Sequence, residues 1–286
     1  MILITGAAGK TGRAIIRALA RRSAPVRAQV YRREQSRVAR DLGAQNTIVG
    51  DMRQPETLAR ATKGVWAIYH ICPNMSPDEL SIGEVLIAAA RAAGVQYLVY
   101  HSVLHPQTEA MAHHWQKLRV EERLFESGLA WTILQPAAYM QNVLAHWGEI
   151  VTEGVYPVPY PASTRLSMVD LEDVAEAAAK VLTEPGHLGA TYELVGAEML
   201  SQTEVAAVLS GELGRSVRAE PVSPADWERG ARAAGLGDYQ VTTLLSMFEY
   251  YGRHGFWGNA QVLGWLLGRP PTSFQAVVRR TVREYF

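Results

Sequence analysis

The chain opens on a short apolar run, Met1-Ile-Leu-Ile-Thr5, that passes at once into Gly6-Ala-Ala-Gly9-Lys-Thr-Gly12. The next stretch, 13–22, places Ala14, Ile15, Ala18 and Leu19 on one helical face. A strand, a glycine turn and a helix in that order make a phosphate-binding βα unit, and no other feature constrains the fold as much. In such a unit Gly6 permits the tight turn, Gly9 lets backbone approach a pyrophosphate, and Gly12 lets the helix pack closely on the strand. The positive helix end and its free N–H groups then face the anion.

The glycines are spaced Gly-x-x-Gly-x-x-Gly, not Gly-x-Gly-x-x-Gly. Gly9-Lys10-Thr11 looks like the end of a triphosphatase P-loop, but that motif needs four residues between its glycines and this one has two. The P-loop is excluded. Dinucleotide binding is expected, with a purely structural βα turn as the alternative.

Residues 26–31, 46–49, 65–71, 95–101 and 130–134 read as strands, and 34–42, 55–63, 77–93 and 110–127 as the helices between them. Near-continuous apolar strands alternating with helices imply an α/β fold whose doubly wound parallel sheet is covered on both faces. After Pro136 the pattern loosens. The three prolines within 155–162 suggest a loop or crossover, 170–182 a helix, and 191–195 a strand that rejoins the sheet. Beyond Gly196 the chain reads as largely helical, with one short strand at 217–221. The expected division is a nucleotide domain of 1–136 plus about 169–196, and a smaller, mostly helical C-terminal lobe of about 137–168 plus 197–286. A substrate cleft is expected between the lobes.

The second strand ends Tyr31-Arg32-Arg33, where doubly wound nucleotide-binding sheets meet the adenosine ribose. A carboxylate there selects the 2′-hydroxyl, whereas a guanidinium fork suits a 2′-phosphate. Arg32 and Arg33 therefore favour NADP(H) over NAD(H), against the alternative that they only cap the next helix. From Lys10 to Asp41 there are ten basic residues and two acidic ones; Arg17, Arg21 and Arg37 are read as a solvated face. Asp51, after the third strand, could accept from an adenine amino group or serve as the N-terminal charge of helix 55–63.

At this point the chain resembles the NmrA-like, atypical members of the short-chain dehydrogenase/reductase superfamily. The matching residues are Thr5-Gly6-Ala7-Ala8-Gly9-Lys10-Thr11-Gly12, Arg32, Gly50-Asp51, Lys117 with Glu121, and Trp131-Thr-Ile-Leu-Gln-Pro136 running into Tyr139-Met-Gln-Asn142. Val169-Asp170-Leu-Glu-Asp173-Val-Ala and Leu267-Gly-Arg-Pro-Pro-Thr-Ser-Phe274 complete the set. The resemblance implies a Rossmann-type domain binding NADP(H), Asp51 and Met52 beside adenine, and Cys72-Pro73 lining the nicotinamide side. Relatives of this kind include quinone and dye reductases, and also regulators that sense the redox state of the nicotinamide pool.

Typical short-chain dehydrogenases carry Tyr-x-x-x-Lys on one helix face. Here the residues four before Lys63, Lys117 and Lys180 are Ala59, His113 and Glu176, so the motif is absent. Ser102, His113 and Lys117 stand in its place as candidate catalytic residues. His113 is either a proton donor or an exposed histidine at the helix start, and His114 is expected to face solvent. Lys117 is expected to meet cofactor ribose or substrate, with a surface lysine as the alternative. Tyr139 and Asn142 are expected to border the substrate cleft. Phe248, Tyr251, Phe256, Trp257 and Trp265 read as helical-lobe core, with an aromatic substrate wall as the rival.

No metal is expected, because His101, His105, His113 and His114 lack a completing carboxylate or cysteine at zinc spacing. No Gly-x-Ser-x-Gly elbow supports a hydrolase. With 28 basic and 28 acidic residues, nucleic acid and membrane surfaces are disfavoured as partners. The single cysteine and the lack of a leader fit a cytoplasmic protein. Hydride transfer to a quinone-like or other planar electrophile needs little acid–base help, so NADPH-dependent reduction of a small molecule is the expected activity. The alternative is a non-catalytic NADP(H) sensor that binds a regulatory protein. A homodimer is compatible with either.

Overall fold

The computed structural model describes residues 1–285. Strand β1 (Ile2–Ile4) enters α1 (Lys10–Arg21) through the glycine turn. The alternation continues through β2 (Val26–Val30), α2 (Gln35–Asp41), β3 (Asn46–Val49), α3 (Pro55–Thr62), β4 (Ala67–His70), α4 (Glu79–Ala92), β5 (Tyr97–His101), α5 (Ala112–Phe125) and β6 (Ala130–Pro136). Next come β7 (Ala138–Tyr139), a 3₁₀ helix (Met140–His146), α6 (Trp147–Glu153), β8 (Val155–Val158), β9 (Arg165–Val169), α7 (Leu171–Thr183) and β10 (Ala190–Leu194). The chain ends with β11 (Met199–Ser201), α8 (Gln202–Leu213), β12 (Arg218–Pro221), α9 (Pro224–Ala233), α10 (Asp238–His254), α11 (Ala260–Leu267) and α12 (Phe274–Tyr285).

Seven strands form one sheet in the order β10-β6-β5-β4-β1-β2-β3. β1 is parallel to both β2 and β4, and β2–β3, β4–β5 and β5–β6 are parallel too. The chain thus winds outward in both directions from β1, the Rossmann-type arrangement, and its switch point falls where β1 and β4 end. Alternation of side chains across the strands sorts the core. Leu3, Ile68, Leu98, Tyr100 and Ile133 face one way and pack with Leu58 of α3, Ile82 and Leu86 of α4, and Val120 and Leu124 of α5. On α1, Gly12, Ala14, Ile15, Ile16, Ala18 and Leu19 are the buried residues, spaced as one helical face.

Two compact units emerge: 1–135 with 174–192, and 136–173 with 193–286. The second contains the three-stranded sheet β11-β9-β7 and the β12–β8 pair. Its core gathers Met140, Trp147, Ile150, Tyr156, Leu209, Phe274 and Val277. Strand β8 corrects the expectation of a loop across 155–162. Pro157 sits opposite Glu220 in a two-stranded ladder, where every strand is an edge and a missing N–H costs little. Strands β7, β9 and β11 were not legible as strands in the sequence.

Candidate active site

The glycine turn is shaped by its neighbours. Gly6 has φ +58°, and a Cβ there would lie 2.8 Å from the Ile71 carbonyl at the end of β4. A Cβ on Gly12 would fall 2.6 Å from both the Gly6 carbonyl oxygen and Ala7 Cα, so helix and turn can approach this closely only with glycine. At Gly9 the sole neighbour would be the Gly6 oxygen at 3.4 Å. Nothing in the chain itself demands glycine at that exposed position.

Side chains brace the turn from below. Thr5 is buried; its hydroxyl accepts from the Ile71 N–H at 2.9 Å and lies 2.8 Å from His70 Nδ1, tying β1 to β4. Gln29 on β2 accepts from the Gly6 N–H at 3.4 Å and donates to the Gly50 carbonyl at 2.7 Å, linking the ends of β1, β2 and β3. Arg13 Nε donates to the Ala8 carbonyl at 2.7 Å. Gly9 is the N-cap of α1 and provides no side-chain cap, and the first turn carries no acidic residue. Lys10 is exposed and Thr11 half-buried beside it.

Beyond β2, Arg32 and Arg33 are exposed, and Gln35 Oε1 accepts from the N–H groups of Tyr31 and Arg32 at 3.1 and 2.9 Å. The Asp51 carboxylate is gripped by Arg53, whose Nη2 donates at 2.6 Å and whose backbone N–H donates at 2.9 Å. Those bonds hold the Asp51 carboxyl below its ordinary range. Met52 is buried.

A polar cluster lies at the ends of β4 and β5, where α4 and α5 cover them. Lys117 Nζ donates to Glu79 Oε1 at 2.9 Å and to the His101 carbonyl at 3.2 Å. Tyr100 donates to the same Glu79 oxygen at 2.8 Å, and His101 Nδ1 sits 2.7 Å from the Tyr69 hydroxyl. One helical turn beyond Lys117, Glu121 accepts from Ser102, and from Gln135 Nε2 at 3.0 Å. All of these residues except Lys117 are buried, and the Lys117 side chain retains 16% exposure, so it is no surface lysine. Burial pushes the Glu121 carboxyl up and Cys72 far up, the Glu79 charge adding to the effect at Cys72.

Burial keeps His70, His101, His113 and His114 neutral near pH 7. Burial lowers His70 to about 4 and His101 to about 3, and the Lys117 charge adds to it at both. His113, on the face of Lys117, is half-buried with no hydrogen-bond partner for Nδ1, and burial lowers it to about 3. A neutral imidazole is a weak acid, so His113 has little protonated form to act with at neutral pH. His114 corrects the expectation of a solvent-facing residue. It is wholly buried with Nδ1 3.0 Å from the His105 carbonyl, because the chain before α5 folds back over the helix start.

Sequence reasoning missed Glu79 and Tyr100. Neither lies in a motif, and only the packing of α4 on α5 brings Glu79 to Lys117. In the second unit, Tyr139 is half-buried and Asn142 exposed. Trp257 and Trp265 are 60% and 74% exposed, which corrects their assignment to the core; Tyr251 and Phe256 are buried and stacked at 4.7 Å. Asp170 and Asp173 hold the C-terminal segment. Arg280 donates to both oxygens of Asp170, while Arg269 and the Thr272 N–H and hydroxyl donate to Asp173. Among the described residues no cluster of histidine, cysteine and carboxylates could hold a metal ion, and no helix is long and apolar enough to cross a membrane.

A doubly wound parallel sheet, with an uncapped helix entered through glycines at its switch point, is the architecture of the Rossmann-type dinucleotide-binding proteins. The model of the NmrA-like family matches residues 1–286, and the chain belongs to that family. It is similar to the NAD(P)H azoreductase of Xenophilus azovorans, 30% identical over 276 residues that cover 96% of this chain and 95% of the relative. Quinone oxidoreductase 2 of Escherichia coli (strain K12) is 29% identical over 275 residues, covering 96% of each chain. The crystal structure of the NADPH-dependent quinone oxidoreductase from Escherichia coli complexed with NADPH superposes with a TM-score of 0.86. It has 27% identity and covers 99% of this chain and all (100%) of that one.

Proposed function

We propose that this protein is an NAD(P)H-dependent oxidoreductase that prefers NADPH and reduces a quinone-like or other planar electrophile by hydride transfer. The observation that carries the reading is the entry to α1. Gly6 and Gly12 are required by the chain's own close contacts, whereas Gly9 is not, so the space above Gly9 suits an approaching pyrophosphate. The uncapped N-terminus of α1 offers N–H groups and the positive end of the helix dipole to that anion. Gly6, Ala8, Gly9, Lys10, Thr11 and Gly12 would hold the diphosphate, Arg32 and Arg33 the 2′-phosphate, and Asp51 and Met52 the adenine side. Cys72 and Pro73 would border the nicotinamide. The cofactor, when bound, supplies the hydride.

The chain's own contribution is alignment and electrostatics. Lys117 is the one cation in the buried cluster and would meet the cofactor ribose or the acceptor, with His113 one turn before it on α5 and Ser102 bonded to Glu121 one turn after it. Tyr139 and Asn142 would contact substrate. Azo and quinone acceptors are the substrates named for the relatives, and both are planar electrophiles that need hydride more than acid catalysis.

The test is titration of tryptophan fluorescence with NADPH, NADP⁺, NADH and NAD⁺, then addition of quinones and azo dyes to the NADPH-loaded protein. Preference for the phosphorylated cofactors with NADPH consumption is the expected result. Binding that discriminates reduced from oxidised cofactor without turnover would replace this reading with that of a redox sensor, since only differential binding can shift a conformational equilibrium.

A further inference from the structure

An ammonium group has three hydrogens to donate, and two of those on Lys117 are committed, to Glu79 Oε1 and to the His101 carbonyl. The Glu79 side chain is 5% exposed and is itself fixed, because the fully buried Tyr100 hydroxyl donates to the same oxygen. The ammonium also lies 5.3 Å from the Tyr100 ring centroid, within reach of its negative face. Three elements therefore converge on one nitrogen: α5 carries it, α4 supplies its counter-charge, and β5 supplies a carbonyl and a ring.

The other titratable groups around this nitrogen leave Glu79 as its principal partner. His70 from β4, His101 from β5, and His113 and His114 from α5 are neutral by burial. Tyr100 and Cys72 are pushed toward their protonated forms. Glu121, one turn along α5, is engaged by Ser102 and Gln135. A cation in such a setting is kept by its one paired carboxylate.

We propose that Glu79 is a positioning residue for Lys117, holding the ammonium so that its remaining hydrogen is offered to an acceptor oxygen as that oxygen gains negative charge. This rests on the reading of Lys117 as a group that meets acceptor or cofactor. In the step, the acceptor receives hydride with its electron pair from the reduced nicotinamide. Its oxygen then takes a proton from Lys117 Nζ, and solvent reprotonates the amine. Without the Glu79 carboxylate the ammonium loses its counter-charge and one of its two hydrogen-bond anchors, leaving the His101 carbonyl.

The chain has four lysines, Lys10, Lys63, Lys117 and Lys180, so each Nζ can be followed by NMR in protein made with ¹³C,¹⁵N-lysine. In Glu79→Gln the Lys117 Nζ resonance is expected to move while those of the other three lysines stay put, because only Lys117 pairs with Glu79. With a quinone acceptor, kcat is expected to fall about tenfold or more. KM for NADPH should change little. Glu79→Asp should restore most of both effects, and Tyr100→Phe, which keeps the carboxylate, should give a smaller shift of the same sign. If Glu79→Gln does not fold, those two variants decide the question. An unmoved Lys117 Nζ resonance would overturn the inference. So would a shifted resonance with unchanged kcat in a protein that turns over. If the native chain reduces no acceptor, the reductase reading fails on its own, and the NMR arm still decides whether Glu79 governs Lys117.

Discussion

Single residues at the glycine turn separate folding from binding. A Cβ at position 12 would press on backbone atoms of the turn that cannot rotate away. Gly12→Ala is expected to cost about 1–3 kcal/mol of stability, read as a lower urea midpoint, together with weakened NADPH binding. Gly9→Ala meets no such obstacle, so its stability should stay within about 0.5 kcal/mol of the native chain while its NADPH affinity falls. A Gly9→Ala protein that bound NADPH with native affinity would remove the pyrophosphate from that position. On the proposed cofactor reading, Arg32→Ala with Arg33→Ala would remove charge-assisted bonds to the 2′-phosphate worth about 1.5–3 kcal/mol. The ratio of NADPH to NADH affinity should drop by about tenfold or more, NADH binding being nearly unchanged. Equal losses for both cofactors would show that these arginines do not read the 2′-phosphate.

Elements were legible in the sequence to the degree that they are locally determined. The strands and helices up to Pro136 carry their own periodicity and punctuation, and the sheet followed from their alternation. Strands β7, β9 and β11 are short, and they exist because they pair with one another rather than because of their composition. The site divides in the same way. The glycine turn and Lys117 are visible in sequence, but Glu79 becomes a partner of Lys117 only through the packing of α4 on α5 across 38 residues. The start of α7 shows the same principle in the second unit. Asp173 is 1% exposed and accepts three hydrogen bonds from the Arg269-Pro-Pro-Thr272 segment. Asp173→Ala should leave that segment without an anchor and cost about 2–3 kcal/mol, discounted because Arg269 is partly exposed. Hydrogen exchange should quicken first at residues 269–274 and in α12. Exchange there at the native rate would show that the segment is held by its apolar packing alone.

For the whole molecule, the distribution of buried histidines sets the response to acid. His70, His101, His113 and His114 all lie in the unit of 1–135 with 174–192, and each has a folded-state pKa of about 3 or 4 against an ordinary value of 6.5. Below pH 6.5 the unfolded chain binds protons at these positions while the folded chain does not. Stability therefore falls as pH falls, by up to about 1.4 kcal/mol per pH unit for each histidine, until the folded pKa is reached. Glu121, whose carboxyl is raised in the folded state, works in the opposite sense as a single group. The sum predicts a Tm lower by at least about 5 °C at pH 5.5 than at pH 7.5. Loss of protection should begin in the unit that contains the histidines. Because proton uptake and disruption of the Lys117 cluster occur in the same unit, NADPH should oppose the acid transition, raising Tm at pH 5.5 in proportion to the logarithm of its concentration above Kd. A Tm that stays flat across this range would mean that the four imidazoles reach solvent in the folded protein. Their neutrality in the folded protein would then be lost.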